Sequence, residues 1–374
     1  MTRPRLRIAV MAPIRYPISQ PHAGGLESSV WNEVRILRAR GHEVILCAVE
    51  GSDFLEQSPS EFVLPALHWD DPSEATDTTY PAGYLERALP AVGRALEYVQ
   101  CTPGRFDLVV NHCLHGLPLE WADRLGVPMV STLHTPTLPS LLEANASCSE
   151  PRSAFLAVSD HTAAEWRAEG IEATVVPNGV DTDVWRLGSG GGDFVWTGRI
   201  VPEKGTHLAL EAARIAGRRI VLAGRIGDSD YFERLVEPQL GADAVYAGVL
   251  GAQELAALVG RSACALVTPV WQEPFGLVIA EALSAGTPVA AFRTGGIPEV
   301  VGSIPGTALV DMGDASALAA AATALADATA ARPGVRASIR AAAEARFSLH
   351  HRVERLEGIY GDLIHDFDRA AVLA

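Results

Sequence analysis

Residues 6–49 read LRIAVMAPIRYPISQPHAGGLESSVWNEVRILRARGHEVILCAV, and this stretch decides the fold. Residues 6–12 form an apolar run short enough for a strand, and a connection rich in Pro, His and Gly follows it. A helical pattern then runs over 27–40 and stops at Gly41, and residues 43–49 predict a second strand. A strand, a crossover helix and a second strand make a βαβ unit with a glycine-rich first connection. Gly24 and Gly25 stand just before the helix, where a backbone without side chains can approach a phosphate. A plain turn accounts for them equally well.

The same alternation continues outward. Residues 51–82 are rich in Asp, Ser, Pro and Thr and read as excursions over the surface, a suitable place for substrate selection. A helix is expected over 84–99, then short buried strands at 106–111, 127–133 and 155–158. Strands alternating with helices imply a parallel, doubly wound sheet. The segment RLGSGGGD at 186–193 is flexible in composition and lies near the midpoint, so it marks the domain boundary. Beyond it the pattern restarts, with strands at 194–197, 220–223, 245–247, 265–268 and 289–291 and a helix at 207–215. The expected division is an N-terminal domain over 1–185, a C-terminal domain over 186–347 and a last helix over 348–374 that returns to the first domain. Both domains are expected to be Rossmann-like.

With 374 residues the chain exceeds one ordinary core. Hydrophobic residues make up 48% and charged ones 20%, yet no apolar run reaches the length of a membrane span. The basic, then apolar, start is cut by Pro13 and lacks a cleavage pattern, so a first strand is expected there and not a signal peptide. Cys47, Cys101, Cys113, Cys148 and Cys264 are scattered and odd in number, which fits reduced thiols and a cytoplasmic protein. The Asn145-Ala146-Ser147 sequon is read as chance. A formal charge of −15 argues against a nucleic-acid partner and against broad adsorption to an anionic membrane, and no stable membrane insertion is expected. An anionic ligand must therefore meet a local positive site.

Such a site is legible in GRIVPEKG at 198–205, which follows one strand and precedes a helix. Of 30 basic residues only Lys204 is a lysine, and the survival of one compact point charge among arginines singles it out. Arg199 and Lys204 together can neutralise a diphosphate. The alternative is a surface turn with two solvated cations.

Residues 271–299, WQEPFGLVIAEALSAGTPVAAFRTGGIPE, carry two carboxylates that packing does not explain. With Pro274 preset for a first turn, a helix is expected over 275–285, stopped by Gly286. Glu281 then has Leu277, Val278, Ser284 and Ala285 as its neighbours, none of them charged. Ligand hydroxyls could offset its desolvation. Eight helical residues rise about 12 Å, so Glu273 at the entrance and Glu281 inside could hold two ends of one ligand, past the free N–H groups of Phe275, Gly276 and Leu277. GGIPE at 295–299 is read as shaping the pocket, although Glu299 also fits an ordinary first-turn carboxylate. His134, in STLHTP, ends an expected strand, where ligands of such sheets gather. His112 and His115 also lie near a strand end, but no third ligand is spaced to make a metal site with them. Asp228-Ser229-Asp230 resembles a metal-holding Asp-x-Asp, yet its setting reads as a loop and helix cap. A metal site is therefore not expected.

Gly24-Gly25, GRIVPEKG, Glu273 and Glu281 with seven residues between, and GGIPE, in that order, resemble glycosyltransferase family 4. The resemblance covers nearly the whole chain. It implies the GT-B fold, two Rossmann-like domains facing an interdomain cleft, and retaining transfer of a hexose-type sugar from a nucleotide-diphosphate sugar. On that resemblance Arg199 and Lys204 bind the diphosphate, Glu281 the ribose and Glu273 the transferred sugar. Phe275, Gly276 and Leu277 assist through backbone amides, Gly198 belongs to the donor loop, Gly24 and Gly25 approach from the other domain, and His134 lies near the sugar. It also implies front-face transfer without a covalent nucleophile, metal or other cofactor. A UDP-linked donor and a soluble small-molecule acceptor are the expected partners. A nucleotide-sugar epimerase of the same fold and a catalytically silent nucleotide-sugar-binding protein are the alternatives. A dinucleotide oxidoreductase lacks its GxGxxG.

Overall fold

The computed structural model describes residues 4–71, 79–148 and 153–373. Its first half runs β1 (Arg7–Met11), α1 (Gly25–Ala39), β2 (Glu43–Val49), β3 (Val63–Leu64), α2 (Tyr84–Cys101), β4 (Leu108–Asn111), α3 (Leu117–Trp121), β5 (Met129–Leu133), α4 (Pro139–Ser147), β6 (Ser153–Ala157), α5 (Asp160–Ala168) and β7 (Thr174–Val175). These strands form a seven-stranded parallel sheet in the order β3-β2-β1-β4-β5-β6-β7. In β1, Ile8 sits opposite Val44 on one side and Leu108 on the other. Successive β1 residues enter opposite cores: Ala9 and Met11 pack with α2 residues such as Val92 and Leu96, whereas Ile8 and Val10 pack with Val30, Val34 and Leu37 of α1. Both faces are covered, which is why the strand reads as a continuous apolar run.

The second half runs β8 (Phe194–Thr197), α6 (Thr206–Ala216), β9 (Ile220–Ala223), α7 (Ser229–Tyr231), β10 (Ala244–Tyr246), α8 (Ala252–Gly260), β11 (Cys264–Val267), α9 (Leu277–Ser284), β12 (Val289–Phe292), α10 (Ile297–Val301), β13 (Thr307–Val310), α11 (Ala315–Ala331), α12 (Val335–Phe347) and α13 (Leu349–Leu373). Its parallel sheet has six strands in the order β10-β9-β8-β11-β12-β13. In both sheets the strand order reverses beside the first strand, so the ends of β1 and β8 mark crevices where ligands can enter. The structure is the two-domain GT-B arrangement.

The chain passes between the halves twice, and the two passages lie side by side. Val180 N–H donates to Phe347 O at 2.7 Å and Leu349 N–H donates to Val180 O at 3.0 Å. From there α13 lies on α1, where Leu349, Val353, Leu356 and Tyr360 are buried in the same core as Ile8 and Val10.

Three sequence expectations are corrected. Within 51–82, Phe62 and Leu64 are fully buried and β3 pairs with β2, so this stretch supplies a sheet edge and not only surface excursions; residues 72–78 lie outside the described residues. The glycines of 186–193 are not a free tether. Gly188 and Gly191 press against the carbonyls of Gly260 and Arg261 so closely that a Cβ would overlap them, and Gly190 N–H donates to Gly260 O at 2.9 Å. Close approach, and not flexibility, explains these glycines. Finally, the helix expected from residue 275 begins at Leu277. Gly276 adopts φ +83° at the N-cap, a left-handed conformation that leaves Pro274 and Phe275 in the preceding loop.

Candidate active site

The connection after β8 holds the lone lysine by hydrogen bonds to its backbone. Gly205 adopts φ +61° against Thr268 O, where a Cβ would overlap that oxygen. The Thr268 hydroxyl lies 3.0 Å from the carbonyls of both Lys204 and Gly205 and accepts from Trp196 Nε1–H at 3.1 Å. Gly198 adopts φ +150° and donates to Ala223 O at 3.1 Å, fixing the start of the same loop on β9.

Lys204 Nζ donates to Glu273 Oε2 at 2.5 Å, and Trp271 Nε1–H donates to the same oxygen at 2.7 Å. The ammonium also lies 5.0 Å from the centre of the Trp271 ring. Both ends of the ion pair are mostly covered, with side-chain exposures of 21% for Lys204 and 12% for Glu273. The glycine turn of GGIPE fixes the Glu273 loop from behind: Gly296 N–H donates to Glu273 O at 2.7 Å, Gly295 N–H to Gln272 Oε1 at 3.0 Å and Thr294 Oγ1–H to Trp271 O at 2.7 Å. These bonds tie the turn to the loop that carries Glu273.

Glu281 lies one helical turn inside α9, half-buried, with no cation or hydrogen-bond donor on it among the described residues. Desolvation alone lifts its carboxyl to about 8. Only 277–281 of the span from Glu273 is helical, so the rise of a continuous helix does not set the separation of the two carboxylates. Ile279 N–H bonds Gly276 O, which leaves the first-turn N–H groups of Leu277 and Val278 without helical acceptors. The Phe275 side chain is core, packed edge-on against Phe347, so only its backbone is open to a ligand role.

The other domain reaches this site through the glycine loop before α1. A Cβ on Gly24 would lie 3.6 Å from Arg199 Cδ, and one on Gly25 would lie 3.8 Å from the Leu277 side chain. Gly24, Gly25, Arg199 and Leu277 therefore face one another across the cleft. Arg199 also lies 3.9 Å from Glu203. His134 follows β5 and is half-buried, and its Nε2 is 2.9 Å from His112 Nδ1. Burial, then the neighbouring His112 and Arg352, hold the His134 imidazole well below its ordinary pKa.

Several contacts were missed in the sequence. His112 was weighed only as a metal ligand, yet it is the ring partner of His134. Glu299 accepts from the N–H groups of Asp160 at 2.7 Å and His161 at 2.8 Å, so it caps α5 of the opposite domain as well as standing in the first turn of α10. Arg225 lies 4.7 Å over the Tyr16 ring, a second contact across the cleft. Asp228 caps α7 by accepting from Tyr231 N–H, and Asp230 pairs with Arg234. Among the described residues no cluster of three or more His, Cys, Asp or Glu is arranged to hold a metal ion.

Two parallel sheets facing a cleft, with a lysine, an arginine and glycine backbones converging at the strand ends, define a GT-B glycosyltransferase. Residues 23–184 match the family model Glycosyltransferase Family 4 and residues 191–328 match Glycosyl transferases group 1. The D-inositol 3-phosphate glycosyltransferase of Mycolicibacterium paratuberculosis (strain ATCC BAA-968 / K-10) is 30% identical over 415 residues, covering 98% of this chain and 92% of that protein. Among solved structures, sucrose-phosphate synthase from Thermosynechococcus elongatus has a TM-score of 0.74 at 20% identity, covering 97% of this chain and all of that one. HepE from Anabaena in complex with UDP-glucose has a TM-score of 0.72 at 19% identity, covering 96% of this chain and 100% of that one. The chain belongs to glycosyltransferase family 4. It is an enzyme that transfers sugars.

Proposed function

We propose that the enzyme transfers a hexose-type sugar from a UDP-linked donor to a hydroxyl of a soluble small-molecule acceptor, with retention of configuration and without a metal, in the cytoplasm. The observation that carries this reading is the ion pair of Lys204 with Glu273, set beside Arg199 and the facing Gly24 backbone. Cleavage of the donor moves an electron pair onto the β-phosphate oxygen, and preorganised cations at that point lower the barrier. Lys204 and Arg199 stabilise this charge. Glu273 already accepts from Lys204 and Trp271, which makes its carboxylate a poor nucleophile and suits it to positioning the sugar.

With no covalent intermediate, the acceptor attacks from the face that the diphosphate leaves, and the departing phosphate takes the acceptor's proton. Glu281 accepts the ribose hydroxyls that its uncharged surroundings lack, and the first-turn N–H groups of Leu277 and Val278 face the donor. His134 contacts the transferred sugar. The UDP-glucose complex of HepE supports the donor, and the inositol-phosphate acceptor in the relative's name supports a small, water-soluble acceptor. Among the described residues no helix is long and apolar enough to cross a membrane.

The reading is tested by incubating the enzyme with UDP-glucose, UDP-N-acetylglucosamine and GDP-mannose against a panel of polyols and polyol phosphates, with excess EDTA present. Nucleotide release is followed together with proton NMR of the anomeric centre. An α-linked product formed in EDTA supports the proposal, whereas an inverted product or an absolute metal requirement overturns it. Epimerised sugar formed without any acceptor would assign the epimerase activity instead.

A further inference from the structure

Behind His134 lies a group of buried polar side chains that the transfer reaction, as described, does not use. Glu33 stands on α1 among Val30, Val34 and Leu37 and is 2% exposed; His112, just past β4, is 1% exposed. Arg352 and Tyr360 enter from α13, on the far side of α1. The Tyr360 hydroxyl donates to Glu33 Oε1 at 2.8 Å, His112 Nε2 lies 3.5 Å from that oxygen, and an Arg352 guanidinium nitrogen lies 3.6 Å from Glu33 Oε2. His112 Nδ1 then meets His134 Nε2 at 2.9 Å. Glu33, His112 and His134 thus form a line from the middle of α1 to the end of β5.

The atoms at the inner end of this line are accounted for only by one another. Glu33 Oε2, His112 Nε2 and the Arg352 nitrogen have no hydrogen-bond partner at ordinary distance among the described residues. A shift of a few tenths of an ångström, or one buried water, joins all three. Buried donors and acceptors left unjoined are costly, so the line has a direction: donors point toward the carboxylate. Burial opposes ionisation of Glu33, but His112, Arg352 and Tyr360, which all face it, outweigh that cost and hold the carboxyl below its ordinary value. Arg352 already balances that charge, and a further charge on the two tilted, adjoining rings would have to be buried as well.

We infer that Glu33 and His112 are positioning residues that fix the tautomer of His134. The proton of His112 sits on Nε2, facing Glu33, so its Nδ1 accepts from His134 Nε2–H. His134 is left with a bare Nδ1, an acceptor for a hydroxyl proton of the sugar and not a donor to its oxygen. Arg352 and Tyr360 hold the Glu33 carboxylate in place, which ties α13 to the site. This inference rests on the proposed role of His134, but its first test does not.

Ring nitrogen shifts of the nucleotide-free enzyme, labelled with 15N-histidine and assigned through His112→Asn and His134→Asn, report the protonation of each nitrogen directly. The expected pattern is protonated Nε2 and bare Nδ1 on both rings. An imidazolium at His112, or a proton on Nδ1 of His134, overturns the inference whether or not the enzyme transfers sugar. The kinetic arm uses Glu33→Gln, whose amide can donate to His112 Nε2 and reverse the line. A loss of about 10- to 100-fold in kcat with little change in KM is expected, the order found for outer partners of functional histidines at metal sites. In a double-mutant cycle, His112→Phe adds no further loss once His134 is alanine. Independent, multiplying losses would overturn the positioning role, and the tautomer measurement stands even where Glu33→Gln folds poorly.

Discussion

Lys204 Nζ and Glu273 Oε2 are 2.5 Å apart, although they stand 69 positions apart in the chain and follow different strands. The pair places the chain's one lysine beside a carboxylate whose other hydrogen bond comes from Trp271. In a mostly covered site such a cation is held in place in advance, and on the proposed mechanism no reorganisation is needed when charge develops on the leaving phosphate.

Lys204→Ala is therefore expected to lower kcat by about 100- to 1,000-fold, equivalent to about 2.7–4 kcal/mol of transition-state stabilisation. Glu273 keeps the Trp271 bond, so the melting temperature changes little. Lys204→Arg restores only part of the rate, because a planar fork cannot replace a compact ammonium against one oxygen. Initial rates of nucleotide release and a thermal melt measure both; near-normal turnover in the alanine variant would remove Lys204 from the mechanism.

Glu281 gives a pH dependence with a defined sign. Its carboxyl titrates near 8 in the folded protein against an ordinary 4.5, so between these values the folded state holds a proton that the unfolded chain has released. Stability contributed at this site falls as pH rises through that window, and Glu281→Gln removes the fall. Ribose hydroxyls donate best to the ionised form, so UDP binding by the wild type tightens as pH approaches 8 and then levels. Calorimetric titration at several pH values, compared with Glu281→Gln to subtract ionisation of the nucleotide, checks this. Parallel pH profiles for the two proteins would contradict it.

Two glycines at the site separate binding from folding. Gly24 has extended backbone, and an added Cβ would lie 3.1 Å from Glu27 Oε2 and 3.6 Å from Arg199 Cδ. Gly24→Ala leaves the fold intact and raises donor KM, a tenfold rise corresponding to about 1.4 kcal/mol. Gly205 has φ +61° and no room beside Thr268 O, so Gly205→Ala carries backbone strain of about 1–3 kcal/mol, displaces Lys204 and lowers both stability and kcat. Kinetics and melting curves of both variants distinguish the two outcomes.

Glu299 connects the halves by capping α5. Glu299→Ala removes an acceptor from two helix-start N–H groups and is expected to cost about 1 kcal/mol in stability. It also loosens the contact between the domains. Small-angle scattering of the nucleotide-free variant is expected to give a larger radius of gyration than the wild type. Unchanged scattering and melting would show that this contact holds nothing in place.

The backbone plan was legible because buried parallel strands leave short apolar runs and glycines mark the helix ends. The strand at 43–49 and those at 194–197 and 220–223 appear with the bounds read from the sequence. Glu281 was legible for the same kind of reason, as a carboxylate in an uncharged helical neighbourhood. Glu33 carried that signal too, lying between Val30, Val34 and Leu37, but its partners come from residues 112, 352 and 360 and no local spacing relates them. The start of α9 was misread because Pro274 is compatible with a first turn, and only the positive φ of Gly276 decides otherwise.

By itself, the sequence determined two doubly wound halves, a local positive site in an acidic chain, and a set of motifs in the order of one family. These are properties of short segments and of composition. The tertiary structure alone decided that Lys204 grips Glu273, that Gly24 faces Arg199 across the cleft, and that His134 is backed by His112 and Glu33. Each joins residues brought together by sheet order and by the return of α13, and hydrogen-bond direction in a buried site depends on partners that chain spacing does not encode.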